Sequence, residues 1–133
     1  MQVHGGCHCG YITYRAEAGP ERTRICHCAD CQQLTGSAFR VVVPVPGEDF
    51  ELTSGEPTIY VKTADSGTKR AHAFCPKCGS PIYATAPGDD PKSYGVRVGT
   101  LAQRAHFVPK RQFWCRSAQP WAVPNGGERI ETQ

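Results

Sequence analysis

The sequence predicts a mostly antiparallel β domain, and three observations support this. Short segments in which β-branched and aromatic residues alternate with polar residues recur along the 133-residue chain. The 14 glycines and 11 prolines are scattered throughout, so turns separate these segments. No internal linker, low-complexity tract or long repeat interrupts the pattern. We therefore expect a single domain over residues 1–133.

The predicted strands are short and follow one another closely. "YITYRAE" alternates and contains β-branched and aromatic residues, and "SGEP" is a clear turn signal between two later segments. The predicted strands cover residues 11–17, 39–45, 49–55, 57–63, 70–75, 80–86, 94–101 and 111–117. A helix of one or two turns is predicted around "ADCQQLTG", and Gly36 is expected to end it. The tail, about residues 125–133, is predicted to be loose.

Composition and local patterning argue against a membrane protein and against an exported one. Hydrophobic residues make up 39% of the chain and charged residues 20%, which is typical of soluble globular domains. The longest apolar runs, such as "FRVVVPV", are far shorter than the roughly 20 residues of a membrane span. The N-terminal segment has neither the basic start nor the apolar stretch of a secretory signal. We expect a cytoplasmic protein.

The net charge does not indicate a nucleic-acid partner. The formal charge is +3 when the cysteines are counted as neutral thiols. If seven of the chain's cysteines were deprotonated and bound to two divalent metal ions, the net charge would fall by three and the folded chain would be near neutral. The sequence also contains no basic tail and no run of like charge.

Eight cysteines in a chain of this size require a specific explanation. They are Cys7, Cys9, Cys26, Cys28, Cys31, Cys75, Cys78 and Cys115. Disulfides are rare in a reducing cytoplasm, and cysteines two or three positions apart seldom form a disulfide without strain. The same spacing suits a single metal ion. Metal ligation is therefore predicted rather than a disulfide framework.

Two of the cysteine motifs share a glycine directly after their last cysteine. They are "CHCG" at 7–10 and "CPKCG" at 75–79. In a metal knuckle the backbone turns so that its N–H groups point at the sulfurs, and a glycine adopts the required positive φ at low cost. Two such knuckles form a closed four-cysteine site. The sequence predicts a structural zinc ion with four ligands, Cys7, Cys9, Cys75 and Cys78.

The third motif, "CHCADC", has a different character. It places Cys26, Cys28 and Cys31 within six positions, and no glycine follows the second or third cysteine. Three protein ligands and one open position are the arrangement of a catalytic zinc site. We predict a second zinc ion here, with its fourth position available to water or to a substrate thiol.

Three alternatives to this assignment have less support from the sequence. Cys115 could close the second site as a fourth ligand, although a lone cysteine in a predicted strand is more often a small buried apolar residue. His8 and His27 each lie between two cysteines, and we expect their side chains to point away from the metals. A ferredoxin-type iron–sulfur cluster does not match the spacing.

The motifs resemble a known family when they are taken together. "GGCHCGYITYR", "CHCADCQQLTGSAF", "FCPKCGSPIY", "VGTL" and a late "PW" are similar to the glutathione-dependent formaldehyde-activating enzyme (GFA) family, also called the centromere-protein-V/GFA domain family. The resemblance extends from about Gly5 to Trp121. It implies a β-tent fold, in which small coiled antiparallel β-sheets surround a structural zinc ion.

The resemblance also implies an activity and ligand roles. In this family the CxC and CxxC motifs hold the structural zinc, and the CxCxxC motif holds the labile or catalytic zinc. This agrees with the division made above from the glycines. The family's named reaction joins glutathione and formaldehyde to give S-(hydroxymethyl)glutathione, and it is classed as a carbon–sulfur lyase reaction. Family members often carry an acidic residue and a histidine where this chain has Ala102 and Gln112.

Glutathione carries two carboxylates that would need donors. Basic candidates are Arg24, Arg40 and Lys110 or Arg111, and further donors are the hydroxyl and amide groups of Thr35, Gly36 and Ser37. A zinc ion with three thiolate ligands is a weak Lewis acid, so it suits delivery of a thiolate better than polarisation of an aldehyde.

The sequence leaves the class of function open between three hypotheses. The first is a zinc enzyme that acts on glutathione–aldehyde adducts. The second is a non-catalytic zinc module that binds a protein or a nucleic acid. The third is a zinc–thiolate redox or metal sensor, which should release an ion under mild oxidant where an enzyme should retain it. The oligomeric state is not predicted.

Overall fold

In the residues that the structure describes, 1–89, 93–122 and 131, ten β-strands form two sheets. This computed structural model also contains one α-helix within that part of the chain. The strands are β1 (Gln2–Gly6), β2 (Thr13–Glu17), β3 (Arg24–Cys26), β4 (Arg40–Pro46), β5 (Phe50–Ser54), β6 (Thr58–Thr63), β7 (Lys69–Phe74), β8 (Pro81–Thr85), β9 (Ser93–Arg97) and β10 (Arg111–Phe113). The helix α1 is Ala29–Thr35, and short 3-10 helices lie at Pro20–Arg22, Gly47–Asp49, Val98–Thr100, Arg104–His106 and Cys115–Ser117.

The smaller sheet has three strands in the order β1-β2-β5, all antiparallel. The larger sheet has the order β10-β3-β4-β9-β8-β7-β6 and is antiparallel except that β10 runs parallel to β3. The mainly β fold predicted from the sequence is confirmed. None of the helices in the described part of the chain has the length and hydrophobicity that a membrane crossing requires.

The hydrophobic core is shared by both sheets. Phe50 stacks between Tyr14 (ring centroids 5.3 Å apart) and Tyr94 (4.5 Å), which joins the smaller sheet to the larger. On β4, Val43 and Val45 are fully buried in this core. Because side chains alternate along a strand, Arg40 lies on the opposite face of the sheet. That face carries the candidate site.

Two predicted strands end earlier than the sequence indicated. The strand predicted at 94–101 ends at Arg97, and Val98–Thr100 form a 3-10 helix. The strand predicted at 111–117 ends at Phe113, because Trp114 adopts a left-handed conformation with φ 58°. The prediction that Cys115 is a small buried residue of a strand is therefore wrong. Cys115 is exposed and begins a 3-10 helix.

The strands β1 and β3 were not predicted, and the helix was. Helix α1 begins after Cys28 and ends at Gly36, which adopts φ 63° as expected for a helix stop. The predicted loose tail at 125–133 lies outside the described residues except for Glu131.

Candidate metal centres and the adjoining cavity

The four cysteines of the two glycine-flanked motifs lie together. The sulfur atoms of Cys7, Cys9, Cys75 and Cys78 are all within 4.8 Å of one another. Cys9 Sγ is 3.6 Å from Cys7 Sγ and 3.8 Å from Cys75 Sγ. Four sulfurs placed about 2.3 Å from a tetrahedral zinc ion are about 3.8 Å apart. The donor set and its spacing therefore fit zinc.

The backbone around these sulfurs has the geometry of metal knuckles. Gly10 and Gly79 both have positive φ, at 84° and 79°, which a residue with a Cβ rarely adopts. Backbone N–H groups donate to two of the sulfurs, Ile12 to Cys7 (3.2 Å) and Lys77 to Cys75 (3.4 Å). The hydroxyl and backbone of Ser80 lower the pKa of the Cys78 thiol to about 5. The site connects the β1–β2 loop to the β7–β8 turn.

The third motif forms a separate cluster of three sulfurs. The sulfur atoms of Cys26, Cys28 and Cys31 lie within 4.8 Å of one another, and all three residues are half-buried. Cys26 ends β3, Cys28 caps α1 and Cys31 lies in its first turn. The Cys31 N–H donates to Cys28 Sγ at 3.3 Å. Within the described residues, no other histidine, cysteine or carboxylate joins this group.

The electrostatics of this trio favour anionic sulfur. A hydrogen bond from the Cys31 thiol, helped by the Cys28 backbone N–H and the positive charge of Arg40, lowers the pKa of Cys26 to about 5. The same hydrogen bond raises the pKa of Cys31. One of the three thiols therefore loses its proton easily, and a metal ion that binds the cluster would displace the protons of the other two. The donor set thus fits zinc here too.

The two histidines that lie between cysteines, and Cys115, belong to neither cluster in the described residues. The His27 side chain is buried, and its Nε2 is 2.8 Å from Gln112 Oε1. The backbone N–H of His8 donates to Ser80 Oγ at 3.0 Å. The Cys115 sulfur is not among the described ligand atoms that lie within 4.8 Å of the whole trio.

A cavity of about 340 Å³ opens beside the trio on one face of the larger sheet. Cys26 and Cys31 form part of its wall, and the small residues Val42, Gly95 and Ala84 line it from adjacent central strands. Its remaining lining residues are Arg24, Arg40, Lys62, Arg70, His72, Arg97, Phe113 and Trp114.

The cavity is strongly basic. Five lysine and arginine side chains line it, and none of its lining residues in the described part of the chain is acidic. Lys62 pairs with Asp30 of α1 at 2.6 Å. Among the described residues, none of the four cavity arginines forms an ion pair. Arg40 and Arg97 are also buried, with only 4% and 8% of their surface exposed.

The predicted glutathione contacts divide into two groups. Arg24 and Arg40 line the cavity, whereas Lys110 and Arg111 are exposed and do not. The other three, Thr35, Gly36 and Ser37, form the end of α1 and are not lining residues either. The Thr35 hydroxyl donates to the Cys31 carbonyl at 2.7 Å, and the Ser37 N–H donates to the Gln32 carbonyl at 3.2 Å.

Sequence reasoning did not identify Lys62, Arg70, His72 or Arg97 as cavity residues. They lie on β6, β7 and β9, in segments without a motif. Their convergence depends on strand order, since β9, β8, β7 and β6 are consecutive neighbours in the sheet. An isolated arginine in a predicted strand, such as Arg97, was the one available signal.

Comparison with known proteins agrees with this architecture. A protein of Rhodobacter sphaeroides, whose crystal structure was determined as a structural-genomics target, superimposes with a TM-score of 0.62 at 23% sequence identity. The match covers 82% of this chain and 98% of that one, and it supports the fold. The model of the family described as glutathione-dependent formaldehyde-activating enzyme matches residues 2–117, a range that includes both cysteine clusters. The chain therefore belongs to the glutathione-dependent formaldehyde-activating enzyme family.

Proposed function

We propose that this protein catalyses the addition of glutathione to formaldehyde, giving S-(hydroxymethyl)glutathione. The observation that carries the proposal is the trio of Cys26, Cys28 and Cys31. Its three sulfurs form a half-buried cluster without a fourth protein ligand in the described residues, and the cluster borders a basic cavity. Three ligands beside a cavity are the arrangement of a catalytic rather than a structural zinc site.

Two zinc ions per chain are part of this proposal. Cys7, Cys9, Cys75 and Cys78 would hold the structural ion, and the trio would hold the second. When bound, the second ion supplies a cation that keeps a glutathione sulfur deprotonated in its fourth position. The sulfurs of the trio set the direction from which the substrate sulfur arrives.

The cavity residues bind and orient glutathione. Arg24 and Arg70 are half-buried at the cavity, and we assign the two glutathione carboxylates to them and to neighbouring polar groups. The exposed Ser37 hydroxyl makes no hydrogen bond to the described residues and stays a proposed contact. Thr35 and Gly36, at the C-terminal end of α1, also remain proposed contacts.

The chemical step needs no further reagent. A bond forms between the glutathione sulfur and the carbonyl carbon, and the carbonyl π pair moves to oxygen. That oxygen takes up one proton, which balances the proton lost by the thiol. Formaldehyde is reactive, so holding the two reactants together supplies most of the acceleration. Cleavage of the same carbon–sulfur bond is the reverse, lyase reaction.

Both free glutathione and unpaired cysteines fit a reducing compartment, and we propose the cytoplasm.

The test follows the exchange of ¹³C-formaldehyde with its glutathione adduct by NMR. Zinc-loaded wild-type protein should accelerate the exchange, and Cys28→Ser should not. Cys115→Ser, which changes an exposed thiol outside the trio, is the matched control and should behave like wild type. If wild-type protein with two bound ions fails to accelerate the exchange, the enzyme proposal is wrong. Release of one ion under mild oxidant would then favour a sensor, and retention would favour a binding module.

A further inference from the structure

We propose that the preferred carbonyl substrate carries a carboxylate next to its reacting carbon, as in a small 2-oxo acid of the size of glyoxylate. This inference rests on the proposed function and specifies its substrate class. It comes from three buried N–H donors, on residues that line the same cavity, which have no acceptor among the described residues. They are Arg40 Nε, Arg97 Nε and His72 Nε2.

Neither of the two buried arginines has a counter-ion among the described residues. Arg97 Nη1 donates to the Gly95 carbonyl at 3.3 Å, and Arg97 Nη2 lies 3.2 Å from His72 Nδ1. Arg40 Nε has no hydrogen-bond partner, and Arg40 forms no ion pair, among the described residues. Burial, together with the charge of Arg40, lowers the pKa of Arg97 to about 9.

His72 adds a third donor. A guanidinium has only donors, so His72 Nδ1 accepts from Arg97 and the ring proton lies on Nε2. Burial and the neighbouring cations Arg97, Arg40, Lys62 and Arg70 lower the pKa of His72 to about 4, so the ring is neutral near pH 7. Its Nε2–H is buried and has no acceptor in the described part of the chain.

Buried donors without acceptors are costly, and buried unpaired charges are more so. The trio with a divalent ion and a bound glutathione thiolate would carry two net negative charges, which can compensate Arg40 and Arg97. The three N–H donors would still lack acceptors among the described residues. A ligand carboxylate offers two acceptor oxygens in the planar geometry that arginine binds best.

The location of the donors indicates which reactant carries this carboxylate. Arg40 lies directly opposite Cys26 on adjacent antiparallel strands, so it is beside the trio where the reacting carbonyl must sit. Arg97 lines the same cavity as Cys26 and Cys31. The carboxylates of glutathione are many bonds away from its sulfur, whereas that of a 2-oxo acid is attached to the reacting carbon.

The balanced step is the same as with formaldehyde. The glutathione sulfur bonds to the aldehyde carbon of glyoxylate, the π pair moves to the aldehyde oxygen, and that oxygen takes the proton lost by the thiol. The carboxylate is unchanged, and nothing is oxidised or reduced. Formaldehyde fits the same place but leaves the three donors unused.

The first experiment compares glyoxylate with methylglyoxal, which has a methyl group in place of one carboxylate oxygen. Each rate of adduct formation is divided by the rate without protein. We expect the acceleration by zinc-loaded wild type to be at least about tenfold larger for glyoxylate, and Arg97→Met to abolish most of this preference. Arg22→Met changes an exposed arginine outside the cavity and should keep the preference.

A second comparison separates the two sources of carboxylate. With 2-mercaptoethanol as the thiol, the effect of Arg97→Met on the glyoxylate preference should persist, because this thiol has no carboxylate. If the effect disappears, the buried donors bind glutathione itself and the inference is wrong. Acceleration of formaldehyde addition without any preference for glyoxylate also overturns the inference and leaves the proposed function intact. No acceleration with any aldehyde removes both.

Binding without turnover gives an independent result that does not depend on a variant folding. Calorimetry of zinc-loaded wild type with oxamate, an unreactive analogue of glyoxylate, should show saturable binding that weakens with salt. The neutral oxamide should not bind. Equal binding of both compounds, or of neither, contradicts a buried carboxylate site.

Discussion

Cys26 and Arg40 lie directly opposite each other on the antiparallel strands β3 and β4, so a buried cation is next to the first sulfur of the trio. Opposite residues in such a pair have Cα atoms about 4.5–5.5 Å apart. Arg40 thereby stabilises anionic sulfur at Cys26 and also borders the cavity. The strand register thus places Arg40 beside Cys26, which we propose as a ligand of the second zinc ion.

The two clusters should differ in what they contribute to folding. We expect Cys75→Ser to prevent folding, because structural zinc binding supplies about 10–16 kcal/mol that the apo chain has to do without. Cys28→Ser should leave a folded but inactive protein, since its cluster lies at the end of a single strand and a short helix. ¹H–¹⁵N NMR spectra of both variants provide the measurement. Equal precipitation of the two would show that the division into structural and catalytic sites is wrong.

The metal content should be two zinc ions per chain, removed in two phases. Chelator should take the ion of the half-buried trio first, because it has fewer protein ligands. Elemental analysis and a colorimetric chelator assay measure the count and the rates. Cys115→Ser should change neither. A count of one ion per chain would eliminate the second site.

Gly95 should be a position at which the cavity can be closed. A Cβ built there is 3.6 Å from Val42 Cγ2 and 3.8 Å from Arg97 Nη1, which are ordinary contacts. Gly95→Leu should therefore fold, yet its longer side chain would enter the cavity and reduce turnover by about tenfold or more. Gly99→Leu is the matched control, because a Cβ at Gly99 meets no atom within 4 Å. Steady-state kinetics and thermal unfolding of both variants test this, and an active Gly95→Leu protein would argue that substrates bind elsewhere.

His72 should make stability depend on pH in a defined window. Its folded pKa of about 4 lies below the ordinary value of 6.5, so the unfolded state binds more protons between these values. Stability is complete above pH 6.5 and falls as the pH drops toward 4. Between pH 7 and 5 the wild type should lose about 1 kcal/mol more than His72→Gln, after allowance for the half-exposed ring. Denaturant unfolding of both zinc-loaded proteins gives this difference, in which the common cysteine contribution cancels. Equal losses would mean that His72 is not held neutral by its neighbours.

The sequence predicted the β-strands and cysteine clusters that have strong local signals. The segments 57–63 and 70–75 alternate and are bounded by turns, and they correspond to β6 and β7. β1 was missed because "QVHGG" ends in two glycines, and β3 because three residues are too few for a periodic pattern. Both strands exist because partner strands on one or both sides supply their hydrogen bonds.

The cavity could not be predicted from the sequence. Its arginines come from four strands that are distant along the chain, and only the order β3-β4-β9-β8-β7 brings them to one face. The sequence around Arg97 resembles that of any strand. The cavity exists because its neighbours Gly95 and Ala84 are small and leave space above the sheet. The exposure of Cys115 likewise depends on one backbone conformation, the positive φ of Trp114, which the residue type does not favour.

A crystal structure of the zinc-loaded protein soaked with glutathione is the most direct test of the central claim. The account predicts that the glutathione sulfur lies about 2.3 Å from the ion held by Cys26, Cys28 and Cys31. A fourth position already filled by Cys115 or by any other side chain of this protein would contradict it, because no substrate sulfur could then reach the ion.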